Sequence, residues 1–172
     1  MAGLFFLDAP AWRAEEIRRL LPGLAFEIGG LPAGYATSAP DPAQRARDKV
    51  AASDLPGTVF AEAQDMLTLD GKSLRLDLDS ENETRFCRWW RDTEVQLVLC
   101  VGLRRHHGGD TQVFKAVCLG RIVERPAGAT GHGWDRMLIP AGHTETLAQL
   151  SGKRVDFGHY DAFVQMAAAL AG

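Results

Sequence analysis

The sequence predicts an α/β or α+β fold with a mixed sheet, because short apolar strand-like runs alternate with amphipathic helical patterns along the chain. Its 172 residues suit one domain, 1–172, without repeats or linkers. Apolar residues make up 46% and charged residues 24%, which is typical of a globular protein. The net charge of −3 provides no footprint for a nucleic-acid backbone, so we expect no nucleic-acid partner.

The first element is a short buried strand at 4–7, Leu-Phe-Phe-Leu. It is too short for a membrane helix and has no charged region before it, so we expect neither a membrane partner nor a signal peptide. The next segment places Ile17, Leu20 and Leu21 on one face at helical spacing. The Pro-Gly pair at 22–23 ends this helix.

The second strand is predicted at 24–28 and is followed by a loop rich in Gly, Pro and Ser. Asp41 as N-cap and Pro42 at the first helical position begin a second helix. A buried strand follows at 59–62, and the alternating residues 72–78 predict a half-buried strand. The remaining predicted elements are a helix capped by Ser80, strands at 95–101 and 113–123 with a turn at 107–109, and a tail helix within 160–172.

The three cysteines, Cys87, Cys100 and Cys118, show no spacing typical of a metal site. Cys100 and Cys118 lie in apolar strand-like runs, where cysteine behaves as a small hydrophobic residue. We therefore expect reduced thiols, no structural disulfide and a cytoplasmic protein.

A glycine-rich loop at 131–135, Gly-His-Gly-Trp-Asp, is the most distinctive motif. A Pro-Ala-Gly turn and Thr-Glu-Thr follow it, and the threonines indicate the start of a helix. The face of Trp134 can stack on a nucleobase, which contributes about 1–3 kcal/mol. The carboxylate of Asp135 can accept hydrogen bonds from purine N–H groups. Alternatively, Trp134 packs into the core and Asp135 caps a turn.

This stretch resembles the Ham1-type inosine triphosphate pyrophosphatases. Their loop reads Gly-Phe-Gly-Tyr/Trp-Asp-Pro and continues through an apolar run, Pro-x-Gly and Thr-x-Ala-Glu, much as residues 131–150 do here. Lys153 and Arg154 lie where the family has its lysine, and Gly-His-Tyr at 158–160 lies where it has Ser-His-Arg. The resemblance implies an elongated mixed sheet with flanking helices in two lobes around a cleft, usually in a homodimer.

The resemblance also implies a purine nucleotide as ligand and the reaction of NTP with water to give NMP and pyrophosphate. The implied nucleotide-binding residues are Arg13, His132, Trp134, Asp135, Lys153, Arg154 and His159. The phosphate-gripping loop departs from the family. Family members have Thr-x-Asn-x-x-Lys, which here becomes Asp8, Pro10 and Arg13. Asp8 repels phosphate and Pro10 has no N–H to donate, so only Arg13 is left to hold a phosphate.

The acids that bind Mg²⁺ and position water in the family are also depleted. Where the family has an acid after Leu-Pro, this sequence has Ala33. Where the family has an acidic pair, this sequence has Glu62 and Ala63. Strand alternation would put Asp65 on the face of Ala63 if the strand persists that far. Lys49 matches a family helix lysine, or is a solvated helix charge. The resemblance thus implies Glu62 as metal ligand, with Glu62, Asp65 and Lys49 as catalytic residues and Mg²⁺ as cofactor.

Three functions are consistent with these residues. The first is an active Mg²⁺-dependent pyrophosphatase, in which water attacks the triphosphate. The second is a binding module that keeps the base pocket without the chemistry. The third is a hydrolase of altered specificity, with His132, His159 and Tyr160 supplying new polar contacts. The lost acids predict that ordinary triphosphate turnover is strongly reduced or absent.

Overall fold

A computed structural model describes residues 3–74, 80–129, 133–150, 158 and 160–172. Helices and strands alternate along the chain as the sequence predicts. The helices are α1 (Ala11–Leu20), α2 (Pro42–Ala52), α3 (Ser80–Trp90), α4 (Leu147–Leu150) and α5 (Asp161–Ala171), with a 3₁₀ helix at Gly133–Arg136. The strands are β1 (Leu4–Leu7), β2 (Glu27–Gly29), β3 (Thr58–Thr68), β4 (Glu94–Arg104), β5 (Thr111–Ile122) and β6 (Leu138–Pro140).

The described strands form one six-stranded sheet in the order β2-β1-β3-β4-β5-β6. β1 is parallel to both β2 and β3, whereas β5 and β6 are antiparallel. The predicted α/β class with a mixed sheet is therefore confirmed. β3 extends to Thr68 rather than ending near Glu62, because a central strand buried on both faces continues its ladder beyond the apolar run.

The helix predictions hold with one correction. Asp41 caps α2 by accepting a hydrogen bond from the backbone N–H of Ala43, and Pro42 is the first helical residue. In α1, Ile17 is fully buried, but Leu20 is 38% exposed and does not share that buried face as predicted. The buried positions of α1 are Arg13, Ala14 and Ile17, so an arginine occupies a place where the helical pattern favours an apolar residue.

The predicted strand at 72–78 is described only in part. Ser73 forms an isolated antiparallel bridge with Leu67, and residues 75–79 lie outside the described part of the chain. The turn at 107–109 is confirmed, because β4 ends at Arg104 and β5 begins at Thr111. No helix in the described ranges is long and apolar enough to cross a membrane.

Contacts divide the chain into two compact units. The first unit comprises 1–64, 99–116 and 160–172, and the second comprises 65–98 and 117–159. The core of the first unit contains four phenylalanine rings, with Phe6 stacked on Phe60 at 4.5 Å between centroids, joined by Phe26 and Phe163. The core of the second unit gathers Met66, Phe86, Cys118, Trp134, Met137 and Leu138. Whether 1–172 acts as one domain stays a prediction.

Candidate functional site

A cluster of polar side chains in the first unit surrounds Arg13. We call it the Arg13 cluster: Arg13, Glu16, Glu62, Gln64 and Tyr160. Arg13 and Glu16 are three residues apart, which places them on one face of α1. Glu62 and Gln64 are two residues apart on β3, so both side chains point to the same face of the sheet. Local periodicity thus presents four of the five side chains to one another.

The guanidinium of Arg13 donates from each of its nitrogens to a protein acceptor. Nε donates to Glu62 Oε1 at 2.7 Å, and Nη1 donates to Glu16 Oε2 at 2.8 Å. Nη1 also reaches the Tyr160 hydroxyl at 3.2 Å, and Nη2 reaches Gln64 Oε1 at 3.5 Å. The Tyr160 hydroxyl in turn donates to Glu16 Oε1. Arg13 is only 4% exposed, so in this structure it holds carboxylates, and the phosphate role stays a prediction.

The electrostatics of the cluster keep Arg13 charged. Burial alone would lower the pKa of Arg13, but Glu62, Tyr160 and Glu16 outweigh it and raise the pKa above its ordinary value. The ring of Trp12 adds a cation–π contact, with 4.9 Å between the guanidinium carbon and the ring centroid. Removing one partner of such a desolvated ion pair typically lowers the free energy of unfolding by about 3–5 kcal/mol, because the other charge stays buried without compensation.

The turn after β1 holds Asp8 beside Lys49. Asp8 has a φ of 54°, in the left-handed region that few residues other than Gly, Asn and Asp visit. The amino group of Lys49 lies 3.8 Å from Asp8 Oδ2 and donates to the backbone oxygen of Glu62 at 3.1 Å. Pro10, the N-cap of α1, brings no N–H. The structure thus brings Lys49 and Glu62 together, with an acid at the position of the phosphate-loop threonine.

The residues at Glu62 do not fit a magnesium ion. Asp65 is three residues along β3, so its side chain points to the opposite face, where Ser73 Oγ donates to it at 2.8 Å. Mg²⁺ takes near-octahedral oxygen ligands. The described residues contain no group of three or more His, Cys, Asp or Glu side chains suited to a metal. Glu62 therefore stands without a second carboxylate on its face of β3, and Arg13 already balances its charge.

The Trp-Asp motif forms the 3₁₀ helix of the second unit. Trp134 is 7% exposed, and its ring packs against Phe86 with 5.5 Å between centroids. This is the packing role that the sequence left open for Trp134; base stacking stays a prediction. Asp135, which follows it, is half-buried. The loop therefore has an apolar side in the core and a polar side that carries Asp135.

Polar contacts fix the segment that carries this motif. Arg136 Nη1 forms an ion pair with Glu83 at 2.9 Å, and its Nε donates to the backbone oxygen of Gly128 at 3.2 Å. Thr146 and Gln149 form a capping box at the start of α4: the Thr146 N–H donates to the Gln149 side chain at 2.8 Å, and the Gln149 N–H donates to Thr146 Oγ1 at 3.3 Å. The predicted helix start is thereby confirmed.

The remaining predicted residues, His132, Lys153, Arg154 and His159, lie outside the described residues. Glu16 and Gln64 belong to the Arg13 cluster but were not predicted from the sequence. Glu16 had a detectable signal, because a carboxylate three residues after Arg13 on a helix is a standard ion-pair spacing. Gln64 had only its strand spacing from Glu62.

The fold and these side chains define a mixed α/β protein with a buried ionic cluster formed by α1, β3 and the start of α5. Residues 51–159 match the Ham1 family, and the chain belongs to that family. The Ham1 protein of Staphylococcus aureus aligns with a TM-score of 0.72 at 18% identity, covering 98% of this chain and 97% of that one. A HAM1 protein from Coxiella burnetii aligns with a TM-score of 0.77 at 14% identity, covering 99% and 98%. At these identities the likeness establishes the Ham1 fold.

Sequence relatives carry the name dITP/XTP pyrophosphatase. The protein from Aquifex aeolicus is 28% identical over 102 residues, which is 59% of this chain and 50% of that protein. The protein from Gluconobacter oxydans is 40% identical over 43 residues, 25% of this chain and 21% of that protein. The matched segments thus span half or less of these relatives. The family match begins at residue 51, so α1 and Arg13 lie before it.

Proposed function

We propose that this protein binds a purine nucleotide of the dITP/XTP type and releases pyrophosphate from nucleoside triphosphates very slowly or not at all. Membership of the Ham1 family and the dITP/XTP pyrophosphatases among its relatives support the ligand class. Asp135, half-buried on the 3₁₀ helix, is the side chain we assign to recognition of the base. We also propose a homodimer, as the family resemblance implies, in the cytoplasm, as the three unpaired cysteines favour.

The contact between Asp8 and Lys49 is the main observation that supports a loss of triphosphate turnover. A triphosphate needs donors and positive charge at the loop that grips it. Here the loop offers the carboxylate of Asp8, and Lys49 lies 3.8 Å from that carboxylate. Pro10 removes one backbone donor at the start of α1. The loop that should attract phosphate oxygens therefore presents negative charge to them.

The acids expected to activate water are depleted as well. Ala33 and Ala63 stand where the family resemblance implies two carboxylates, and Ala63 is buried at 8% exposure. Asp65, on the same face of β3 as Ala63, accepts a hydrogen bond from Ser73 Oγ at 2.8 Å. Loss of one electrostatic contact in a catalytic site typically lowers the rate by a factor of roughly 10²–10³. Such losses are not additive, because the groups act as a unit. The loss of a single such contact is enough to lower the turnover of an ordinary enzyme by this factor.

A thermal-shift screen separates binding from turnover. We expect dITP, XTP and xanthosine monophosphate to raise the melting temperature more than CTP does, because Asp135 selects purines. In the same samples, we expect Mg²⁺-dependent pyrophosphate release at least roughly 10²–10³-fold slower than that of an ordinary enzyme. A protein that no nucleotide stabilises would contradict the ligand class, whereas hydrolysis of a monophosphate or diphosphate would favour a hydrolase of altered specificity.

A further inference from the structure

We infer that a second copy of this chain covers an exposed apolar surface of the second unit, in an interface with two-fold symmetry. We call this surface the Leu119 face: Leu69, Val117, Leu119, Glu94 and Arg121. The inference rests on the homodimer of the proposed function and goes beyond it, because it names the residues that form the interface.

The exposed side chains of β5 change from polar to apolar along the strand. Gln112 and Lys115 are exposed near its start. Further along, Val117 is 38% exposed and Leu119 is 53% exposed. Val117, Leu119 and Arg121 are each two residues apart, so they share one face of the sheet. A sheet face that is open to water normally carries polar side chains, so the two apolar residues indicate a surface that another protein surface covers.

A groove beside Leu119 extends this surface. It has a volume of about 330 Å³, and its lining includes Leu69, Leu119 and Ile139. Leu69 follows the last residue of β3 and is 56% exposed. The volume is at the lower end for small-molecule sites, which bury most of their ligand. Because Leu69 and Leu119 are both more than half exposed, the groove suits a protein surface better than an enclosed ligand.

Two charges of opposite sign line the same groove. They are Glu94 on β4 and Arg121 on β5, and both residues are exposed. Arg121 also lies 3.4 Å from Asp92, but these side chains are 44% and 77% exposed, so water competes for that pair. Glu94 forms no ion pair with a residue in the part of the chain that the structure describes.

This arrangement of charges favours a second copy over an unrelated protein. In a two-fold interface every contact occurs twice with the roles of the two copies exchanged. Arg121 of one copy would therefore pair with Glu94 of the partner subunit, and the symmetry would repeat the pair. The apolar residues between these charges would pack against themselves. The Leu119 face is thus complementary to itself both in charge and in apolar character.

The first test compares the wild type with Leu119→Glu by sedimentation equilibrium, which gives the dissociation constant of the dimer. We expect a dimeric wild type and a dissociation constant at least roughly 30-fold higher in Leu119→Glu, because the new acid is buried twice in one interface. Val164→Glu is the matched control: Val164 is 45% exposed on α5 in the first unit, so its dimer should be unchanged. Leu69→Glu replaces Leu119→Glu if circular dichroism shows that the latter is unfolded.

A charge exchange tests the proposed pairing of Glu94 with Arg121. Glu94→Arg and Arg121→Glu should each raise the dissociation constant of the dimer about tenfold, because each places like charges opposite one another. The double variant should return to within about threefold of the wild type, since it restores opposite charges in the reverse order. A double variant as weak as the single variants would overturn the two-fold contact and the inference with it.

The outcomes separate this inference from the proposed function. A wild type that dimerises, and still does so as Leu119→Glu and Leu69→Glu, would overturn the inference and leave the homodimer in place at another surface. A monomeric wild type at every concentration would overturn both the inference and the homodimer. Nucleotide binding is measured separately by thermal shift, and monomeric Leu119→Glu should retain it.

Discussion

The two units of this protein place their polar residues in opposite ways. In the first unit, the Arg13 cluster buries an arginine of α1 against the largely buried carboxylate of Glu62, and each guanidinium nitrogen donates to a protein acceptor. In the second unit, Trp134 packs into an apolar core while Asp135 stays at the half-buried side of the same 3₁₀ helix. The first arrangement pairs a buried charge within the protein, whereas the second places a half-buried carboxylate next to a core ring.

The family match includes all of the second unit and only parts of the first. It covers 51–159, which includes the Trp-Asp loop, and leaves out β1, α1 and the residues Asp8, Pro10 and Arg13. The segment with the Trp-Asp loop thus has a detectable family match, whereas the segment with Asp8, Pro10 and Arg13 lies outside it. The 3₁₀ helix that carries this loop is anchored by the packing of Trp134 in the core of the second unit. The turn after β1 lies outside the match, and its φ of 54° is compatible with an aspartate.

The largest expected effect tests how the second unit holds its loop. Trp134→Ala should lower the free energy of unfolding by about 3–5 kcal/mol, because it removes a large buried ring and leaves a cavity. Trp89→Ala is the matched control, since Trp89 is 71% exposed; it should change stability by no more than about 0.5 kcal/mol. Urea denaturation of the three proteins gives the comparison. Equal losses would show that Trp134 is not a core residue, and would return it to a ligand-facing role.

The next effect probes the ion pairs of the first unit. Glu62→Gln should cost about 3 kcal/mol of unfolding free energy, because it leaves the buried Arg13 charge without its closest partner. Glu16→Gln should cost only about 1 kcal/mol, because the side chain of Glu16 is 32% exposed and water can replace it. The same urea series measures both. If Glu16→Gln proves as costly as Glu62→Gln, the cluster is shielded from solvent more uniformly than these exposures indicate.

A smaller effect concerns base choice. Asp135→Asn should narrow the difference in affinity between XTP and CTP by about tenfold, which corresponds to roughly one charged hydrogen bond. Glu124→Gln serves as control, because Glu124 is an exposed acid of the same unit that pairs with Arg91 at 3.9 Å. Calorimetric titration of both variants with the two nucleotides gives the ratio. A ratio that stays at the wild-type value in Asp135→Asn would remove Asp135 from the recognition of the base.

The sequence predicts the elements well because they are local. Periodicity predicts α1, and the Asp-Pro pair at 41–42 predicts the start of α2. The contacts of Arg13 with Glu62 and Tyr160 could not be predicted from the sequence, because these partners lie 49 and 147 residues away from Arg13 in the chain. The environment of Trp134 was equally undetermined, because only the contact with Phe86 distinguishes a core ring from a stacking ring. Long-range packing, rather than composition, decides both cases.

The proposed loss of triphosphate turnover can be measured as pyrophosphate release from XTP by the wild-type protein at saturating Mg²⁺. We expect turnover at least roughly 10²–10³-fold below that of an ordinary enzyme, because Asp8, Pro10 and the missing acids would deprive the transition state of electrostatic support. A rise in the melting temperature of the protein in the same samples would show that XTP is bound although it is not cleaved. Turnover of about 1 per second or faster would contradict the account and make this chain an active pyrophosphatase.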